Sequence, residues 1–260
     1  MLKFAANLSF QFNEWPFLER FGAAAGCGFR AVEYLFPYEW APAVIAEALE
    51  SHGLTQALFN LPPGRWDAGD RGLAAVVGRE AEFRQSVATA LEYAKATGVE
   101  RVHVMAGIAQ PGDSAAVRTY ANNIAFAADT LGAHGLEVLI EPINSRDMPG
   151  YFLNSFLQAC EFIETLGRSN LRLQFDIYHR QIIHGDVLTA LETLLPLIGH
   201  VQIASVPRRN EPNTGELNDD RVLQRLDELG YRGYIGCEYR PAAGTLAGLG
   251  WMDRWLVGSD

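Results

Sequence analysis

Apolar positions along the chain fall into two alternating patterns. Short runs rich in Val, Ile, Leu and Phe lie at Leu2–Leu8, Phe29–Leu35, Leu54–Phe59, Arg101–Ala106, Leu136–Glu141, Leu171–Asp176, Gly199–Ala204 and Tyr234–Glu238. Between them run longer segments in which apolar residues recur at helical spacing. Over Ala81–Ala96, for instance, Phe83, Val87, Ala90, Leu91 and Ala94 form one stripe. Gly26, Gly53, Gly98, Gly135, Gly167 and Gly230 each come shortly before the next strand, where a left-handed residue ends a helix.

Eight strand–helix units in succession predict a parallel sheet with right-handed crossovers, and eight such units can close on themselves. The expected architecture is therefore α/β, a single (β/α)8 TIM barrel forming one domain over residues 1–260; that length matches the ~250 residues of such barrels. A doubly wound open sheet is the competing arrangement. It is disfavoured because no G-x-G-x-x-G follows the first strand and because polar residues end many strands rather than gathering at one switch point. The longest irregular stretch, Leu61 to Gly78, holds Pro62, Pro63, Gly64, Trp66, Gly69 and Gly72, and reads either as a lid or as a surface excursion.

Charge and composition narrow the partners. A formal net charge of −10 repels a phosphate backbone, so nucleic acid is not expected as a partner. No apolar run approaches the ~20 residues of a membrane span, and Met1 to Phe10 runs straight into a strand pattern, so the expectation is a cytoplasmic protein with no membrane partner. Cys27, Cys160 and Cys237 show no C-x-x-C spacing and read as small buried hydrophobes rather than disulfide partners or thiolate ligands. A homo-oligomer stays open.

Candidate chemistry sits at the ends of the last four strands. Glu141 closes one run just before Pro142, Asp176 and Glu238 close two others, and Gln202 lies near the end of the run between them. Each alone reads equally well as a rim residue bonded to a helix N-terminus. Three carboxylates in one partly desolvated mouth repel one another, so either their pKa values rise or a cation compensates them. The amide oxygen of Gln202 suits the cation. An all-oxygen donor set favours a divalent metal ion of the Mg2+ or Mn2+ kind over zinc.

The segments Ile140-Glu141-Pro142-Ile143-Asn144, Phe175-Asp176-Ile177-Tyr178-His179, Gly199-His200-Val201-Gln202-Ile203-Ala204 and Gly236-Cys237-Glu238-Tyr239 resemble those of the hydroxypyruvate isomerase family. That family lies within the xylose-isomerase-like barrel superfamily, which also holds ketose 3-epimerases. Ala6-Asn7-Leu8-Ser9, Val32-Glu33-Tyr34-Leu35-Phe36-Pro37-Tyr38 and Asn60-Leu61-Pro62 extend the likeness over nearly the whole chain. The resemblance implies that Glu141, Asp176, Gln202 and Glu238 bind the metal while Glu141 and Glu238 also move the proton. It implies substrate contacts for His179, Arg208, Asp147 and Asn7. Two departures from the epimerase pattern stand out: Gln202 occupies the place of a histidine ligand, and Asp147 that of a glutamate.

The implied reaction is isomerisation of a small 2-oxo acid, hydroxypyruvate to 2-hydroxy-3-oxopropanoate (tartronate semialdehyde), through an enediolate. Arg208, or Arg71 or Arg65 on the long loop, is the expected cationic partner of the substrate carboxylate. The alternatives are a 2-oxo-tetronate isomerase, a ketose 3-epimerase, or a non-catalytic barrel that binds a sugar acid; an endonuclease would need a histidine-rich zinc cluster and a basic face. Local readings compete as well. His179 could bond structurally at its strand end, and Arg208 could pair with Glu211 or Glu216. His200 reads as a buried neutral ring beneath the site and His103 as a barrel-interior residue; Glu33 either supports the ligands from behind or pairs with Arg30.

Overall fold

The computed structural model of the chain describes residues 1–256, and each of the eight apolar runs becomes a strand. The strands are β1 (Lys3–Asn7), β2 (Ala31–Tyr34), β3 (Thr55–Asn60), β4 (Arg101–His103), β5 (Glu137–Ile140), β6 (Leu171–Asp176), β7 (Ile198–Gln202) and β8 (Tyr234–Cys237). The helices are α1 (Glu19–Gly26), α2 (Pro42–Ser51), α3 (Glu80–Thr97), α4 (Ser114–Gly132), α5 (Phe156–Leu166), α6 (Ile177–Ile183), α7 (Val187–Leu194), α8 (Asp219–Glu228) and α9 (Asp253–Leu256). Neighbouring strands pair in parallel, and β8 returns to β1 to close the barrel. No helix among the described residues is long and apolar enough to cross a membrane.

The helices bury one face against the outside of the barrel. Phe83, Val87, Ala90 and Ala94 of α3 are buried, four of the five residues in the stripe read from the sequence, while Leu91 is half-buried. Each fully buried Phe or Val side chain stabilises the fold by about 1.5–3 kcal/mol through the apolar surface it removes from water. Gly98 and Gly167 end α3 and α5 in the left-handed conformation, as expected. Gly26 does not: it is the last residue of α1, and Gly28, at φ 90°, makes the reversal two residues later. Among the cysteines, Cys237 is buried, whereas Cys27 and Cys160 are only half-buried.

Strand register carries the polar residues to one end of the barrel. Asn7 lies beside Glu33 across β1 and β2, Asp176 beside Gln202 across β6 and β7, and Gln202 beside Gly236 across β7 and β8. Glu141 and Glu238 are each the first residue beyond their strand, at the C-terminal mouth where the βα loops begin. Strand β4 is shorter than its apolar run. Val104 N–H still donates to the Leu139 carbonyl of β5 at 2.9 Å, but beyond it the Ala106 carbonyl accepts from the backbone N–H of Ala75 at 2.7 Å.

That exchange pins the long loop after β3. Leu61 N–H donates to the His103 carbonyl at 2.9 Å, Gly72 N–H to Pro63 at 3.0 Å, and the Asn123 side chain of α4 to the Ala74 carbonyl at 2.9 Å. Leu73, Ala74 and Ala75 are buried beneath it. At Gly72 the backbone has φ 104°, and a Cβ there would stand 2.3 Å from the Met105 carbonyl oxygen. Gly72→Ala is therefore expected to lower stability by about 1–3 kcal/mol through this clash, read as a reduced urea midpoint. An unchanged midpoint would mean that the loop moves aside freely.

Candidate active site

A cavity of about 430 Å3 opens at the C-terminal mouth, and its wall includes Glu141, His179, Glu238 and Asp147 together with Arg71 and Arg209. Asp176 lies directly against this group, since its Oδ2 is 3.4 Å from Arg209 and 3.5 Å from His179 Nε2. Three carboxylates expected to converge, Glu141, Asp176 and Glu238, thus do so, and all three are buried.

Their electrostatics follow from burial. Desolvation raises the Glu141 carboxyl well above its ordinary range, and the negative charges of Glu238 and Asp176 push it further. Burial lifts Glu238 to about 8 and Asp176 to about 6, although Arg209 pulls both back. For Arg209 burial works against the charge, yet Glu238, Asp176, Glu141 and Asp147 together hold its pKa above the ordinary arginine value. Arg209 bridges Glu238 and Asp176, and its guanidinium lies over Phe10 and Tyr178. Three carboxylates face one guanidinium, which leaves the fully ionised cluster with an excess of negative charge.

A deeper layer fixes this arrangement. Glu33 is buried and accepts three hydrogen bonds, from His200 Nε2 at 2.7 Å, Gln202 Nε2 at 2.8 Å and Asn7 Nδ2 at 2.9 Å. Its bulk extends over Gly236, where a Cβ would lie 2.3 Å from the carboxylate oxygens. Of the two sequence readings of Glu33, the structure favours support from behind, since no Arg30 pair forms. Asn7 does not line the cavity; it reaches Glu238 Oε1 at 3.4 Å from below. Gln202 is held on both sides, its nitrogen on Glu33 and its oxygen accepting from Gln174 Nε2 at 2.7 Å.

His179 is a polar anchor. The Asn144 backbone N–H donates to its Nδ1 at 3.3 Å, which assigns the ring proton to Nε2, facing Asp176. Glu141, Asp176 and His179 each bring one potential ligand atom within 4.8 Å of the others, but in that tautomer His179 offers Asp176 a donor rather than offering a cation a lone pair. Asp147 accepts from Asn144 Nδ2 at 3.3 Å and lies 3.8 Å from Arg209.

The charged partner is Arg209, where Arg208 was expected. Arg208 is exposed and absent from the cavity wall, and it forms no ion pair with Glu211 or Glu216 among the described residues. The reason is local: Arg209 adopts a left-handed φ of 57° that turns the chain inward at this residue. Nothing in the adjacent pair of arginines distinguishes them before that turn is known. Arg71 stacks on Trp66, 4.0 Å from the ring centroid, and lines the cavity; Arg65, the other loop candidate, is exposed and does not. Arg240, Gln174 and His103 also line it; the first two escape notice in the sequence because they lie within an ordinary loop or apolar context, whereas His103, read as a barrel-interior residue, faces the cavity.

The donor chemistry fits a divalent cation. The cluster of Glu141, Asp176 and Glu238 carries excess negative charge when fully ionised, Glu141 Oε1 has no hydrogen-bond partner, and the Gln202 oxygen retains a second lone pair beyond the one Gln174 uses. A divalent ion would have to share Asp176 and Glu238 with Arg209.

Comparison with known proteins gives a consistent result. Residues 21–255 match the family described as xylose isomerase-like TIM barrel. A 2-oxo-tetronate isomerase of Cupriavidus necator is 56% identical over 98% of this chain and 99% of its own length. The hydroxypyruvate isomerase of Escherichia coli is 44% identical over 98% of this chain and its full length. A solved structure described as an AP endonuclease, family 2, from Brucella melitensis superposes with a TM-score of 0.96 at 49% identity, covering 98% of this chain and 99% of that one.

The Glu33 layer generates a test. Glu33→Gln preserves volume over Gly236 but turns an accepting oxygen into an N–H that faces other donors, so a loss of about 1–3 kcal/mol is expected in thermal unfolding. Unaltered stability would show that His200, Gln202 and Asn7 find other partners.

Proposed function

The chain belongs to the xylose isomerase-like TIM barrel family and is an isomerase; we propose that it moves a carbonyl group between C2 and C3 of a short 2-oxo hydroxy acid with the help of a divalent metal ion, Mg2+ or Mn2+. The observation that carries this reading is that Glu141 and Glu238 line one cavity together with arginines, with Asp176 buried directly against them on Arg209. Hydroxypyruvate and its four-carbon homologue 2-oxo-tetronate are the substrates in view. The 56% identity to a 2-oxo-tetronate isomerase, against 44% to a hydroxypyruvate isomerase, favours the four-carbon acid.

Glu141, Asp176, Glu238 and the amide oxygen of Gln202 would hold the metal. When bound, it would supply positive charge beside the oxygens of the substrate, which lowers the cost of forming the enediolate by several kcal/mol, roughly. The rest of the work falls to the chain. A carboxylate, Glu141 or Glu238, takes the proton from C3; the C–H electron pair becomes the C2=C3 bond and the carbonyl pair moves onto the C2 oxygen. Returning a proton to C2 while the C3 hydroxyl gives up its own leaves the carbonyl at C3. Burial suits the two glutamates to this task, because it lifts Glu238 to about 8 and raises Glu141 well above its ordinary range, which makes each a stronger base than an exposed carboxylate. Arg71, stacked on Trp66 and free of carboxylate partners among the described residues, is placed to bind the substrate carboxylate in bidentate fashion. His179 and Asp147 would contact substrate hydroxyls. A nuclease is disfavoured by the net charge of −10 and by the acidic mouth.

The experiment is a chelation and substitution series on hydroxypyruvate, 2-oxo-tetronate and free ketohexoses. Chelator should abolish turnover of the short acids and added Mn2+ or Mg2+ restore it, while Glu238→Gln should lower kcat by ~10²–10⁴-fold and suppress uptake of solvent deuterium. Full turnover in chelator, or a preference for free ketohexoses, would sink the reading.

A further inference from the structure

Polar atoms without partners gather on one wall of the cavity. Both ring nitrogens of His103, Oε1 of Glu141 and Oε1 of Gln174 lack a hydrogen-bond partner, although all three residues are buried and all three line the same space. A buried polar group left unpaired is costly, and a cluster of them on one cavity wall calls for a partner from the cavity, a functional role being one recognised reason for retaining such groups. Glu141 and Gln174 present acceptors there. His103 is the member of the set that can donate.

The other buried histidines near the mouth differ in this respect. His200 is bonded to Glu33 at 2.7 Å and His179 to Asn144 at 3.3 Å. The backbone carbonyl of His103 is engaged by Leu61, yet its ring stands 3.7 Å from Glu141 Oε2, too far for a hydrogen bond. A ring kept for packing would gain from an apolar replacement, whereas an unpaired ring that lines the cavity beside Glu141 is arranged for a ligand oxygen. Burial keeps the ring neutral, and a neutral imidazole donates a hydrogen bond without surrendering its proton.

We propose that His103 is a catalytic residue whose ring N–H donates a hydrogen bond to the substrate oxygen that gathers negative charge as the proton leaves the adjacent carbon. The inference rests on the isomerase reading given above. No proton passes to or from His103 in this role: the carboxylate takes the C3 proton, the electron pair forms the C2=C3 bond, and the charge displaced onto the C2 oxygen is met by the ring N–H. The interaction strengthens as charge develops, so it acts on kcat rather than on ground-state binding.

The test compares His103→Phe and His103→Gln with the unaltered enzyme, loaded with metal. His103→Phe should lose about 10²–10³-fold in kcat, the usual effect of removing one such donor, with KM nearly unchanged and no fall in Tm; His103→Gln, which keeps an N–H, should recover much of the rate. Unchanged kcat, a rise confined to KM, or a Tm that falls in step with activity would overturn the proposal. If the unaltered enzyme turned over neither short acid, the isomerase reading itself would fail. Calorimetric binding of oxalate, a planar mimic of the enediolate that already carries negative charge on the oxygen corresponding to the C2 oxygen, would then decide the matter, with weaker binding by His103→Phe supporting the contact and equal binding overturning it.

Discussion

The site depends on one buried carboxylate that touches no substrate. Glu33, on β2, gathers donors from β1 and β7 and fits only because β8 has a glycine opposite it. A charge in the barrel interior is tolerable when its acceptor capacity is met, and here three donors meet it. The consequence is order one layer higher. Gln202 is fixed in orientation, Asn7 is brought under Glu238, and Gln174 is drawn to the oxygen of Gln202.

Above that layer the balance is deliberately unequal. Arg209 offsets part of the charge of Glu238, Asp176 and Glu141, and burial leaves all three carboxyls with raised pKa values. This is the condition in which carboxylates both attract a hard cation and remain basic enough to take a proton. Ligation alone would depress their basicity; desolvation restores it. On the proposed reading, the depth of the mouth would thus meet the tension between binding an ion and acting as a base.

Much of this was legible in the sequence because periodicity and register are linear properties. Eight runs of strand character, each followed by a helical stripe, define the barrel, and a residue that ends a run must reach the C-terminal mouth. Glu141, Asp176 and Glu238 could be found in this way. Arg209 could not, since a single left-handed residue decides which of two adjacent arginines turns inward. The same limit applies to Glu33, whose role is fixed by His200, Gln202 and Asn7 across distant parts of the chain, and to His103, which reads as one polar interruption in an apolar strand. The displacement of a helix end from Gly26 to Gly28 is a smaller instance: two glycines close together satisfy the same pattern, and packing selects one.

The stitched course of residues 61 to 79 has a bearing on how molecules come and go. With its backbone tied to the His103 and Ala106 carbonyls and with Leu61, Leu73, Ala74 and Ala75 sunk beneath the rim, this stretch is built as a fixed doorway rather than a flap. Passage through a rigid aperture is governed by the width and charge of its jamb, here Trp66 and Arg71. On the proposed reading, selection among acids of different length would then fall on the threshold, before any bond is broken.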